Sequence, residues 1–313
     1  MRIPRPQAPT TNDARSDFHG RPVTKNTHPV PPSADWHADA VAERMQACLS
    51  SIARCRKSSS EEAVHDARVA LRRLSAALDF IGPALPDVRV RKLRRQAKRN
   101  RARLAKLRDR QVAVLLVADL CASVPELESY RAHLRAKGEK VEAESRRVLT
   151  RLSLPGLART VSSVSRQYGA LSPSQIVMQK RRLLKETGAL CGDVLERRDL
   201  ALAGDMDAWH RFRIGVKRLR YRLEITRPLY PRLRDAHMKA LRRVQTELGD
   251  LHDLVVVARG FEKFAFRKKK MHPRSAQDVQ SELDRIMKRY RAKAARASGF
   301  LPRLAAVLRG RKP

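Results

Sequence analysis

The chain has 313 residues, and its 68 Lys and Arg against 32 Asp and Glu give a formal charge of +36 at neutral pH. So large an excess excludes an ordinary charge-balanced housekeeping domain and points to a polyanionic partner. Hydrophobic residues at 42% can bury a core, charged residues at 32% exclude a multispanning membrane protein, and aromatic residues at 4% are few for a protein that stacks nucleic-acid bases.

Residues 1–33 hold seven prolines without apolar periodicity and read as a disordered Pro-rich tail. They lack the apolar run of a signal peptide, and no stretch of 18 apolar residues follows. From Ala34 the apolar spacing is helical throughout, and Pro and Gly fall between the periodic blocks. The spacing predicts helices over 35–56, 60–82, 87–121, 125–151, 155–168, 173–199, 205–228, 233–262 and 275–297, with a short last piece at 299–309. Ser58–Ser60 followed by Glu61-Glu62 reads as a capped helix start. Pro83 with Pro86, and Pro228 with Pro231, close two of the helices. Cys48, Cys55, Cys121 and Cys191 are scattered without a Cys-x-x-Cys pair, as expected of reduced, partly buried thiols in a cytoplasmic protein.

The proline pairs expose an internal repeat. His65–Pro86 (HDARVALRRLSAALDFIGPALP) aligns without gaps on His210–Pro231 (HRFRIGVKRLRYRLEITRPLYP) at an offset of 145, with seven of 22 positions identical. At an offset of 144 the next helices follow: Leu104, Leu107 and Asp109 match Leu248, Leu251 and Asp253. The expected fold is all-α: two units of four helices, 35–152 and 173–297, related by a pseudo-twofold axis. A linker helix at 153–172 joins them into a single domain over 34–300, and 298–313 is expected to be a basic tail.

At about 100° per residue, His65, Arg68 and Arg72 fall on one stripe, with Arg73 at its edge. Ala67, Leu71, Leu74, Leu78 and Ile81 form the opposite, apolar face. The second copy sets His210, Arg213 and Lys217 on the same stripe, with Arg218 at its edge. One helix of this kind could be a solvated basic face, and its His a bonded packing residue. Recurrence of His, Arg, Arg/Lys and Arg at equal spacing favours an anion site. Arg offers a donor fork that matches phosphate oxygens, and Lys a point charge. Around these residues the sequence has no carboxylate pair suited to acid–base work and no Ser or Cys nucleophile. It also has no zinc-type His spacing and no phosphate-binding glycine loop, so no metal or cofactor is expected.

The third predicted helix carries twelve Lys and Arg between Arg89 and Arg110 against one acid, Asp109. Leu93, Ala97, Leu104 and Leu107 keep an apolar stripe through it. Arg95, Lys98, Arg99 and Arg108 are favoured as further anion ligands, because Lys239, Arg242, Arg243 and His252 fill their repeat positions. Asp109 and Asp253 are expected to orient or neutralise an Arg inside the bundle. The remaining charges suit a solvated coat.

These residues resemble the CHAD domain (conserved histidine α-helical domain). The resemblance lies in VHDARVALRRLSAAL (Val64–Leu78), KLRDRQVAVLL (Lys106–Leu116), WHRFRIGVKRLRY (Trp209–Tyr221) and LGDLHDLVVVA (Leu248–Ala258), and covers about 35–300. It implies two four-helix bundles around a basic central channel that binds inorganic polyphosphate. It also implies a place on polyphosphate granules beside granule-associated proteins. Carried over by position, the polyphosphate ligands are His65, Arg68, Arg72, Arg73, His210, Arg213, Lys217 and Arg218. Arg220 and Tyr221 are weaker, since Ser75 and Ala76 replace them in the first copy. His252 departs from the polar residue usual before that Asp. No ExExK strand motif of the attached triphosphate-tunnel hydrolase occurs, so the chain looks like a stand-alone, non-catalytic member.

The leading expectation is therefore a non-catalytic polyphosphate binder. The alternative is a nucleoid- or RNA-associated protein, since so basic a chain binds nucleic acid nonspecifically at low salt. A phosphoanhydride-cleaving enzyme would need metal-binding carboxylates in the basic stripe, where Asp79 and Glu224 are the only acids shared by both copies. A membrane-surface binder would need aromatic-apolar faces that these helices lack.

Overall fold

Helices start where the sequence supplies a cap. The Ser60 hydroxyl accepts from the Ala63 amide (3.2 Å), Asp87 from Arg89, and Asp205 from Asp207 and Ala208. Ser172 and Gln175 close a reciprocal capping box, with Pro173 at the first helical position. The resulting elements are α1 (Trp36–Lys57), α2 (Glu61–Ile81), α3 (Val88–Cys121), α4 (Glu128–Thr150) and α5 (Leu154–Gly169). There follow α6 (Pro173–Leu202), α7 (Met206–Thr226), α8 (Asp235–Glu262), α9 (Pro273–Ser298) and α10 (Leu301–Leu308). The coordinates are a computed structural model that describes residues 36–58, 60–85, 87–150, 154–267 and 271–310. The predicted tail at 1–33 and the lysines at 268–270 lie outside the described residues.

The protein is all-α, as the periodicity predicts, and no strand occurs among the described residues. Residues His37–Pro313 form one compact unit. Within it α3 packs against α2, α4 and α5, and α6–α7–α8–α9 pack in succession. Repeat-equivalent helices also meet each other, α2 on α7 and α3 on α8. In the second half the apolar stripe of α7 packs with α6, α8, α9 and α10, not with α2. Ala67, Leu71, Leu74, Leu78 and Ile81 of α2 are all buried, as are Phe212, Val216, Leu219 and Leu223 of α7. Each large buried side chain contributes roughly 1.5–3 kcal/mol. That drives the opposite, basic face of each helix toward one shared side.

Local devices fix the approach distances. The Gln179 amide on α6 donates to the Phe80 carbonyl (2.5 Å), satisfying an acceptor left free near the end of α2. A Cβ at Gly215 would sit 3.0 Å from Val194 Cγ2, so the glycine lets α7 lie close on α6. The segment at 298–310 holds the short helix expected at 299–309 and is more than the expected basic tail. It carries α10, whose Leu301, Leu304, Ala305 and Val307 are buried against the core of the second half. Proline at 302 starts a helix there, and burial of that apolar face outweighs the flanking charge.

Candidate anion-binding site

The site grows out of the unburied stripes of α2 and α7 and the segments of α3 and α8 that cross them. His65 and His210, at the N-terminal ends of their stripes, are exposed. One turn and two turns further in, Arg68, Arg72, Arg213 and Lys217 are half-buried. On the crossing helices Arg108, His252 and Asp253 are half-buried too. Of the sequence-predicted residues, His65, Arg68, Arg72, Arg108, His210, Arg213 and Lys217 bear on one another as one cluster.

Ion pairs are few within it. Arg68 Nη2 donates to Asp109 Oδ1 (3.2 Å), the helix-to-helix pairing expected for that acid. Asp253 is the counterpart beside Arg213, but burial pushes its carboxyl above the usual range despite Arg213 and Lys217. The halves also reach each other: Arg72 and Arg68 of α2 act on Lys217, and Arg72 and Asp109 act on Arg213. Burial and these cations depress Lys217 to about 6. Partial burial and Arg108, Arg72 and Arg68 hold His65 below its usual value, and partial burial with Arg213, Lys217 and Arg259 does the same to His210. The His210 ring stands 5.2 Å from that of His252. Burial, Arg213 and the facing His210 push His252 down to about 3.

Such a cluster is short of negative charge. Two unit charges 4 Å apart repel by roughly 4 kcal/mol at an effective dielectric of about 20. The Nε atoms of Arg68, Arg72 and Arg213 are buried with no hydrogen-bond partner among the described residues. An arriving anion would supply both the missing acceptors and the missing charge.

Arg73 has a different setting. Its Nε lies 3.3 Å from Glu224 Oε2 on α7, and Arg220 Nη1 approaches the other carboxylate oxygen, Oε1 (3.4 Å). Arg44 of α1 donates to the Glu224 carbonyl (3.2 Å), and the Arg220 guanidinium lies 4.6 Å from the Tyr221 ring centre. The mirror-image pair does not form, because Asp79 takes Arg94 instead, and Arg218 stays exposed.

The predicted ligands nearer the starts of the crossing helices stand apart. Arg95, Lys98, Arg99, Lys239, Arg242 and Arg243 are all exposed. Arg99 precedes Arg108 by nine residues, about two and a half helical turns, which sets it on the opposite face of α3. The same spacing separates Arg243 from His252. The structure thus brings Arg108 into the cluster and leaves those six on outer faces.

Two cations beside the site escape the repeat comparison. Arg259 bears on His210 and His252, yet its first-copy mate is Leu115. Arg44 reaches Glu224, but a neutral residue fills its position in α6. A signal that depends on both copies agreeing cannot find either.

The CHAD domain model matches residues 39–261, a span that includes both halves of the cluster. The crystal structure of the CHAD domain from the plant Ricinus communis superposes with a TM-score of 0.61 at 21% identity, covering 88% of this chain and 91% of that one. At that identity the likeness speaks for the fold. No curated protein matches the chain. With all four resembling segments inside a family match of this length, and the same fold in a solved member, the chain belongs to the CHAD domain family.

Proposed function

We propose that this protein binds inorganic polyphosphate in the cluster between α2, α3, α7 and α8, without catalysing its cleavage or synthesis. The observation that carries the reading is the convergence of half-buried cations from both halves, with Arg72 and Arg68 of α2 close enough to bear on Lys217, and Arg72 on Arg213, of α7. A linear chain of phosphates satisfies them with charge-assisted hydrogen bonds of about 1.5–3 kcal/mol each. Family membership supports the same ligand class. The absence of a catalytic role is part of the proposal. Asp109 is engaged by Arg68, which suits it to balancing charge, and burial pushes Asp253 toward its neutral form. A location on polyphosphate granules, next to granule-associated proteins, follows from the ligand.

The test is titration of the full chain with long-chain polyphosphate and with mixed-sequence DNA at physiological salt. A variant with His65, Arg68, His210 and Arg213 replaced by Ala runs alongside. Polyphosphate is expected to displace DNA, and the variant to lose at least tenfold in polyphosphate affinity, about 1.4 kcal/mol. Equal binding of both polymers, unchanged in the variant, would replace this reading with nonspecific nucleic-acid binding. The exposed cations Arg95, Lys98, Arg99, Lys239, Arg242 and Arg243 favour that second reading.

A further inference from the structure

The two halves of the cluster match in position and differ in chemistry. On α2 and α3 the half-buried cations of the cluster are Arg68, Arg72 and Arg108, all of the residue type that serves as a permanent charge. At the matching positions α7 and α8 carry Arg213, Lys217 and His252. Two of three permanent charges are thus replaced by groups that can release a proton. His210 at the rim, 5.2 Å from His252, is a third such group, and its repeat mate His65 is the one titratable counterpart on α2.

The surroundings decide what those groups do. Lys217 faces Arg213 on its own helix and Arg72 and Arg68 on α2, against a single nearby carboxylate, Asp253 of α8. His252 faces Arg213, His210 and Lys217 on α7 and Arg259 on its own helix. Asp207 is the acid bearing on His210, while Asp109 and Arg108 of α3 bear on Asp253. The other neighbours of α7 and α8 turn their charges elsewhere. On α6, Arg197 pairs with Asp193 and donates to the Arg211 carbonyl. On α9, Tyr290 faces Asp250 and Glu247 of α8. Without a polyanion, a proton on Lys217 is opposed by cations from both halves and one on His252 by groups of its own half. A chain of phosphates laid across the cluster reverses that field.

Taking polyphosphate as the ligand, we propose that His252, Lys217 and His210 make the α7–α8 half a proton-loading subsite, filled by protons from solvent as the polyanion binds. Apart from His65, the α2–α3 half attracts the chain with standing charge. The α7–α8 half acquires its charge only when the chain is present. The proton passes from water or buffer to Lys217 Nζ or to a His ring nitrogen. It returns when the chain leaves, and no covalent bond changes.

The experiment is calorimetric titration of the full protein with long-chain polyphosphate in two buffers of unlike ionisation enthalpy, near neutral pH. The buffer dependence of the heat counts protons. Net uptake of at least about one proton per bound chain is expected, and affinity is expected to fall about tenfold per pH unit per proton as pH rises. Protons from the polyphosphate chain ends are common to every variant and cancel in comparison. In the variant carrying His252→Arg and Lys217→Arg the uptake is expected to drop, the pH slope to flatten and the affinity at alkaline pH to exceed wild type. If that variant does not fold, His252→Gln is expected to lower the uptake alone. Tight wild-type binding with no proton uptake, or uptake unchanged in the variants, would overturn the proton-loading subsite and leave polyphosphate binding standing. Failure of the wild type to bind polyphosphate at any pH would remove both.

Discussion

At the residue scale the repeat is a strong filter, because it discards any cation whose position does not recur. Of the residues it selects, the structure gathers His65, Arg68, Arg72, Arg108, His210, Arg213 and Lys217 into one cluster and leaves Arg95, Lys98, Arg99, Lys239, Arg242, Arg243 and Arg218 exposed. The repeat cannot say which of two equivalent residues is buried. Arg73 reaches Glu224 across the two halves, whereas its mate Arg218 stays exposed. Lys217 turns burial into a measurable pH effect. Its pKa falls from 10.5 to about 6, so between those values the unfolded chain holds a proton that the empty folded protein does not. Stability must then rise with pH across that window. His65, His210 and His252 are lowered too and add in the same direction. The buried thiols Cys48, Cys55 and Cys191 are raised to about 12, 11 and 11 and act oppositely once free thiols ionise. The urea midpoint of the protein without polyanion is therefore expected to rise from about pH 6.5 to about pH 8, below free-thiol ionisation. Lys217→Met should flatten that rise, and an equal slope in the variant would mean that Lys217 keeps its proton in the fold.

At the element scale the helix positions were nearly all legible, because apolar spacing, with caps at α2, α3, α6 and α7 and prolines between helices, marks the boundaries. The expected 60–82 became Glu61–Ile81, and the expected 87–121 became Val88–Cys121. What the spacing could not supply is how closely two helices approach. Gly260 on α8 lies against Tyr130 of α4, and a Cβ there would overlap the Tyr130 hydroxyl and stand 3.3 Å from Cζ. Tyr130 cannot yield easily, since it is 4% exposed and packed against Phe261 and Phe264. Gly260→Ala is expected to cost about 2 kcal/mol, the scale of overpacking a core, read as a lowered thermal midpoint. Tyr130→Phe in the same background removes the clashing oxygen and should recover part of the loss. No recovery would place the strain in the backbone of α8.

For the whole molecule, a charge of +36 acts at two ranges. The exposed rows on α3 and α8 act through solvent over about a Debye length, about 8 Å at physiological salt, and hold polyanions loosely. The half-buried cluster acts at contact and is screened less. Replacing Arg95, Arg99, Arg242 and Arg243 with Gln is therefore expected to flatten the dependence of polyphosphate affinity on salt, with a modest loss of affinity at physiological salt. Replacing cluster residues should lower affinity at every salt concentration. If the surface variant abolished binding at physiological salt, the cluster would not be the principal site.

The sequence by itself determined the all-α class, the helix boundaries, the repeat, the family and the polarity of α2 and α7. Each of these rests on local spacing or on recurrence along the chain. Only the tertiary structure decided that the two stripes share one cluster, that Arg108 joins it while Arg95 and Arg99 do not, and that Glu224 ties Arg44, Arg73 and Arg220 together. The physical reason is that burial and Coulomb interaction depend on distance in space. Two stripes 145 positions apart in sequence carry no mark of whether they face each other or face away.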